Sequence, residues 1–431
     1  MRFTKETLVT AFALFSLFFG AGNLILPPQL GFLSGEGWWL VALGFCLSAV
    51  CIPVLGILAH ARIQGGLFEF ASKVSPIFSL VYCILIYAIS VALPSPRTAA
   101  VTHEMAIEPL FNSSPLITSV CYFTLVFVFV MNRSSLLDLI GKWLTPAILF
   151  ILLLVIGISL YDFPFNFGNT GFKSPFSHGV LEGYQTFDAI GAVVVGGVII
   201  VSINLKKKER TYELKKQLIG RAGFLAGLGL LSIYTGLILS GALLHESFPA
   251  DISRTALLTG ISQVTLGKTA NVFLSLLVSL ACFTTAVGIV TGASDFVRSR
   301  FPNQPKTYLY TALTACLLGI LVGQLDVGII IDLALPALMF IYPVTIVLIL
   351  LNVLPVRYAS PLVFRSVIIT TILFSIPDFI NSLGFIGLSE RSTNWIPLSG
   401  YSLGWVLPAF LTFLGANLLS RRNDWKSKGV K

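Results

Sequence analysis

The sequence predicts an all-α polytopic membrane protein with about twelve transmembrane helices. Three observations predict it. Of the 431 residues, 55% are hydrophobic and only 11% charged, whereas a soluble domain carries roughly a quarter charged residues. Apolar runs of about 20 residues, long enough to span a bilayer, recur from one end to the other. Lys and Arg gather in alternate loops, as in a chain threaded repeatedly through a membrane.

The runs lie near 7–33, 38–61, 76–96, 115–131, 143–161, 184–205, 219–244, 269–294, 308–325, 328–354, 362–386 and 399–420. The first follows Arg2 and Lys5, as a signal peptide would. Its apolar character continues past the small residues through Leu24 to Leu33, so it reads as a span. The second ends at Arg62. The third closes on Pro94, Pro96 and Arg97. The fourth and fifth are separated by Arg133 and Lys142, and the sixth and seventh by the stretch from Lys206 to Arg221. The eighth stops before Arg298 and Arg300, and the ninth starts after Lys306. The tenth and eleventh flank Arg357, and the twelfth precedes Arg421 and Arg422.

All the Lys and Arg residues except Arg97, Lys173, Arg254, Lys268 and Arg391 fall in one set of alternate loops. The positive-inside rule then puts both termini in the cytoplasm. The net charge of +9 is thereby a topology signal. Lys206, Lys207 and Lys208 lack the aromatic interleaving expected of a nucleic-acid patch. The six cysteines, Cys46, Cys51, Cys83, Cys121, Cys282 and Cys316, lie in apolar runs without metal or redox spacing and read as small buried hydrophobes. His60, His103, His178 and His245 are expected at helix ends or in loops, which leaves no buried histidine relay.

The stretch FFGAGNLILPP interrupts the first run. Gly20 and Gly22 lower the cost of leaving helical geometry. Asn23 adds a side-chain oxygen, and Pro27 and Pro28 disturb the helix beyond. An unwound turn survives in a membrane only inside protein or beside a cavity. Close helix packing accounts for the glycines, but not for the asparagine. A broken first helix implies an oppositely directed partner about five helices later. The sixth run, YQTFDAIGAVVVGGVIIV, holds Asp188 and Gly191, with Gly196 and Gly197 beyond. The chain then reads as one transmembrane domain over 1–431. Its two inverted repeats span about 7–161 and 184–354, with helices appended over about 362–420. In the eighth run, LACFTTAVGIVTGASDF, Thr284 and Thr285 either bond back to a carbonyl one turn earlier or offer oxygens to a dehydrated cation.

Together, FFGAGNLILPPQLG, ALPSPRTAAVTHE, GYQTFDAIGAVVVG and LACFTTAVGIVTGASDF resemble the branched-chain amino acid:cation symporters, the BrnQ or LIVCS family, over essentially the whole chain. The resemblance implies a LeuT-type fold, with substrate at the midplane between broken helices 1 and 6. Matched motif to motif, the substrate segments are Ala21, Gly22 and Asn23, with Phe187, Asp188, Ala189 and Gly191. A Na+ site would use backbone carbonyls of Ser16, Phe19 and Ala281 and hydroxyls of Thr284 and Thr285. The implied activity is import of Leu, Ile and Val by Na+ symport with alternating access, in a bacterial inner membrane.

The fifth run, TPAILFILLLVIG, has no central Lys to replace the ion, which favours Na+. No GxxxxGK[ST], HExxH or GxSxG motif points to an enzyme. No obligate protein partner is evident. A proton-coupled symporter of the same fold and an uncoupled channel or uniporter are the alternatives. Asp188, placed toward the outer part of helix 6, suits the substrate ammonium, a second cation or a helix cap. Arg97 is expected to pair with Glu104, to serve an outer gate, or to snorkel. Glu69 is expected to be solvated or paired with Lys73. Asp332 and Asp378 are expected in a vestibule or in structural roles.

Overall fold

The first apolar run is two helices. In the computed structural model, which describes residues 4–132, 136–194, 196, 211–304, 306–384 and 396–428, α1 (Lys5–Phe18) stops short of α2 (Ala21–Ser34). Phe19 and Gly20 lie between them, with Gly20 extended at φ −107° and ψ −176°. The second span is α3 (Trp38–Cys46) and α4 (Ile52–Ile63), joined through a π-helical turn at Leu47–Cys51. After the short α5 (Leu67–Ala71), α6 (Pro76–Ala92) kinks at Leu93 and continues as α7 (Pro94–Thr102) and α8 (Glu108–Phe111). Then come α9 (Pro115–Asn132) and α10 (Leu136–Asp162).

The sixth run is also divided. α11 (Pro175–Tyr184) precedes a turn at 185–187, and α12 follows over 188–194. The remaining helices are α13 (Tyr212–Leu243), α14 (Arg254–Arg300), α15 (Thr307–Gly323), α16 (Val327–Val353), α17 (Pro361–Ser382) and α18 (Val406–Lys428). No strand occurs among the described residues. Eight helical stretches there are long and apolar enough to cross a membrane, and Thr307–Gly323 and Val406–Ser420 are shorter apolar helices.

Three boundaries differ from the sequence expectation. The third span does not end at 96 but runs to Phe111. Pro94 opens a new helical segment, where a missing N–H costs little, so it bends the path without stopping it. The sixth starts at Pro175, ten residues before the turn and nine before the expected 184. The eighth extends from Arg254 and bends at Gly267, whose φ of 80° and ψ of 174° interrupt the helix. The basic cluster Lys206–Lys208, Gly197 and Arg391 fall outside the described residues.

Two glycine crossings lock the broken helices to their neighbours. A Cβ on Gly31 of α2 would sit 1.7 Å from the Ile238 carbonyl oxygen of α13, and one on Gly241 would sit 2.0 Å from that of Pro28. Correspondingly, a Cβ on Gly44 of α3 would sit 2.0 Å from the Phe176 carbonyl oxygen of α11, and one on Gly179 would sit 2.3 Å from that of Val41. Small residues let membrane helices touch backbone to backbone, where packing and weak polar contacts replace hydrophobic association. The two contacts correspond. α2, from the first break, packs on the span after the second; α11, from the second break, packs on the span after the first.

The polar interior also departs from expectation in places. His60 and His103 are buried. His60 sits between the Val193 and Gly65 carbonyls at 2.8 and 3.0 Å, and His103 meets Thr118 Oγ1 at 2.9 Å. Both lie at helix ends in sequence, but neighbouring helices cover those ends. Cys51 and Cys121 are exposed on the outer surface of the helices, whereas the other four cysteines are buried. Glu69 accepts from the Gly66 N–H, and Lys73 donates to Asn352, so the two do not pair. Asp378 is buried within α17.

Candidate functional site

The first break exposes main-chain groups at a defined place. In a continuous helix, Gly20 N–H would bond the Ser16 carbonyl and Asn23 N–H the Phe19 carbonyl. Here Gly20 N–H donates to Phe18 O at 3.0 Å, and Asn23 N–H donates to Gly20 O at 3.2 Å. Ser16 and Phe19 carbonyls thereby lose those helical partners. Gly20 has no side chain to cap α2. The Asn23 side chain folds back instead, and its Nδ2 donates to Phe18 O at 2.9 Å.

The same amide group crosses to the second break. Asn23 Nδ2 donates to Asp188 Oδ2 at 2.7 Å and also meets the Tyr234 hydroxyl of α13. Tyr234 in turn donates to Asp188 Oδ2 at 3.2 Å. Asn23, Asp188 and Tyr234 are all essentially withdrawn from solvent. Asp188 is therefore not toward the outer part of its helix. It is the first residue of α12, at the interruption itself, because the half of that span ahead of it is α11.

The second break uses no glycine. Phe187 takes a left-handed φ of 62°, a strained backbone for a bulky residue that surrounding structure must hold. Thr186 helps, since its Oγ1 donates to Gly183 O at 2.8 Å and accepts from Asp188 N–H at 3.2 Å. Tyr342 of α16 accepts from Ala189 N–H at 3.2 Å, capping the start of α12. Gly191 lies within α12 and donates to Phe187 O. It is one turn past the break and does not form it.

Arg97 joins the two breaks from α7. Its Nη1 donates to Gln185 O at 2.7 Å, and its guanidinium lies 5.3 Å from the centre of the Phe187 ring. A Cβ on Gly22 would lie 2.5 Å from Arg97 Nη2, so a larger residue there would push the guanidinium aside from α2. Arg97 is 3% exposed. It neither snorkels nor pairs with Glu104. Glu104 instead accepts from Thr255 Oγ1 and from Val327 N–H, the latter at 2.8 Å. Sequence reasoning missed Arg97 as a site residue because it assumed that the span ended there.

On α14, Thr284 and Thr285 both donate through Oγ1 to Ala281 O at 2.9 Å. This is the back-bonding arrangement that the sequence left open. It uses the hydroxyl protons and leaves oxygen lone pairs available. A Cβ on Gly20 would lie 4.0 Å from Thr285 Oγ1 and 3.9 Å from Asn23 Oδ1. The Thr285 hydroxyl thus faces the first break. Of the residues expected at the site, Gly22, Asn23, Phe187, Asp188 and Ala189 meet around the paired breaks, and Thr285 borders them.

The model of the family described as "Branched-chain amino acid transport protein" matches residues 3–422. The chain belongs to this family. It is 33% identical to the branched-chain amino acid transport system 2 carrier protein of Pseudomonas aeruginosa, over 96% of each chain. Among solved structures it resembles the inward-facing conformation of Mhp1, with a TM-score of 0.64 at 13% identity, covering 97% of this chain and 91% of that one. It also resembles MhsT in complex with L-phenylalanine, with a TM-score of 0.54 at 14% identity, covering 96% and 97%. These structural likenesses identify the LeuT-type transporter fold. This branched-chain amino acid transport family member is a multi-pass membrane transporter, not an enzyme. Its site carries one further bridge: Arg254 at the start of α14 pairs bidentately with Glu182 of α11, at 2.7 and 3.1 Å. That bridge ties the half-helix ahead of the second break to a neighbouring span.

Proposed function

We propose that this chain imports leucine, isoleucine and valine by symport with Na+, through alternating access around the paired breaks. The observation that carries the proposal is the Asn23–Asp188 hydrogen bond, which holds two interrupted helices face to face with buried polar groups between them. Half-helix ends present partial charges suited to a zwitterion. Asp188 suits the substrate ammonium, with Gly22, Ala21, Phe187 and Ala189 supplying main chain around it. A branched aliphatic side chain makes no polar demand. One methylene changes affinity by about 1–3 kcal/mol, so Leu, Ile and Val are expected to compete with one another.

Na+ is a hard cation that takes carbonyl and hydroxyl oxygens. The freed Ser16 and Phe19 carbonyls, the Ala281 carbonyl and the Thr284 and Thr285 hydroxyls are our assignment for its ligands. Their chemistry fits the ion, and Thr285 faces the break. The reciprocal glycine crossings support an inverted repeat pairing the first five spans with the next five, with α17 and α18 appended. The alternation of loop charge supports an orientation with both termini cytoplasmic, and membership of the family supports insertion in a bacterial inner membrane.

Thr285→Ala is expected to raise the Na+ concentration needed for half-maximal leucine uptake by about tenfold or more, the scale of losing an oriented group at a metal site. Labelled-leucine uptake into proteoliposomes, titrated with Na+, checks this. An unchanged Na+ dependence in a folded variant would remove the ion site from α14.

A further inference from the structure

We infer that Arg97 binds the substrate's α-carboxylate. The inference rests on the amino acid transport reading above and names the group that reads one end of that substrate. Arg97 is a buried guanidinium with one hydrogen bond among the described residues, to the Gln185 carbonyl. Its Nε is fully buried with no hydrogen-bond partner. A guanidinium offers five N–H donors in a fixed fork that matches a carboxylate. Burying such a group with most of that fork unused is costly unless an anion completes it.

The nearby carboxylates are directed elsewhere. Asp188 Oδ2 accepts from Asn23 and Tyr234. Glu182 is paired with Arg254. Arg97 Nη2 instead faces Gly22, so close that a Cβ there would lie 2.5 Å away. Gly22 belongs to the first turn of α2, which Gly20 leaves without a side-chain cap. Main-chain N–H groups and the positive end of the helix dipole thus lie beside the guanidinium, and both favour an anion.

The adjacent residue completes the argument. Asn23 holds Asp188 while its neighbour Gly22 faces Arg97, so a cation-seeking carboxylate and an anion-seeking guanidinium contact adjacent residues of α2. An α-amino acid carries its ammonium and carboxylate on one carbon. Arg97 and Asp188 offer those two opposite charges beside the same turn of the first break, and the Phe187 ring lies 5.3 Å from the guanidinium.

The test titrates the purified full-length protein in Na+ with leucine and with leucinamide, which keeps the ammonium and the side chain but lacks the carboxylate. Arg97→Gln is expected to weaken leucine binding by about 100-fold, as when one partner of a buried charge pair is removed. Leucinamide binding should stay within about threefold of the unsubstituted protein, because only the carboxylate contact is lost. Arg97→Lys, which keeps the charge but not the fork, should show the same selective loss at about tenfold. Equal loss of both ligands, or unchanged discrimination in folded Arg97→Lys or Arg97→Gln protein, would overturn the assignment and leave Arg97 a packing residue. Failure of the unsubstituted protein to bind leucine at all would instead overturn the transport reading beneath it.

Discussion

Asn23→Ala is expected to lower leucine uptake by about 100-fold or more while the protein still inserts and folds. One side-chain amide ties Phe18 O, Asp188 and Tyr234 together across both breaks. Deleting it leaves a buried carboxylate short of a donor and a carbonyl short of a partner. Each such loss costs about 1–3 kcal/mol, and about 2.7 kcal/mol corresponds to a hundredfold. The cost falls on the relative placement of the two half-helices and not on the spans around them. Uptake measured beside membrane abundance checks this. Asp188→Ala should be similarly severe, and the double variant little worse than either, because the residues act as one network. Full additivity would mean that the two breaks function independently.

Gly31→Val has the largest expected effect on the fold. A Cβ at Gly31 meets the Ile238 carbonyl oxygen at 1.7 Å, and that oxygen belongs to helix backbone that cannot rotate aside. The substitution must separate α2 from α13. Overpacking usually costs about 1–3 kcal/mol, and a rigid backbone neighbour puts this site at or beyond the upper end. Folded, monodisperse protein should be reduced severely, with a lower thermal midpoint in whatever remains. Gly157→Ala is the matched control, since nothing lies within 4 Å of a Cβ there. Wild-type stability in Gly31→Val would show that the α2–α13 crossing is not tight.

The contrast between the two breaks explains which parts of the site were legible. The first was readable because its residues declare it: two glycines and an asparagine are poor choices for an uninterrupted membrane helix. The second bends at Gln185, Thr186 and Phe187, none of which is a helix breaker by type. It is held by tertiary contacts, from Arg97 to Gln185 and from Tyr342 to Ala189. Local propensity carries no trace of these. The preceding half-helix was missed because His178 and Glu182 interrupt its apolar character, so the hydrophobic run begins where α11 ends.

Arg97 was misread for a related reason. A charge beside two prolines looks like the end of a span, where long basic side chains reach for water. The helical stretch instead continues from Pro76 to Phe111, which puts Arg97 well inside it. Its role follows from residues far along the chain, chiefly Gly22 and Gln185. The threonine pair was legible as chemistry but not as geometry. Only the structure brings Thr285, and not Thr284, within reach of Gly20.

Leucine accumulation by the purified protein in liposomes, under an imposed inward Na+ gradient and then under a proton gradient alone, tests the central reading most directly. Accumulation driven by Na+ and suppressed by isoleucine and valine, but not by alanine at equal concentration, is the expected result. Accumulation that a proton gradient alone sustains, with no response to Na+, would contradict the ion coupling proposed for Ser16, Phe19, Ala281, Thr284 and Thr285. No leucine accumulation under either gradient would contradict the assignment of a branched-chain substrate to the paired breaks.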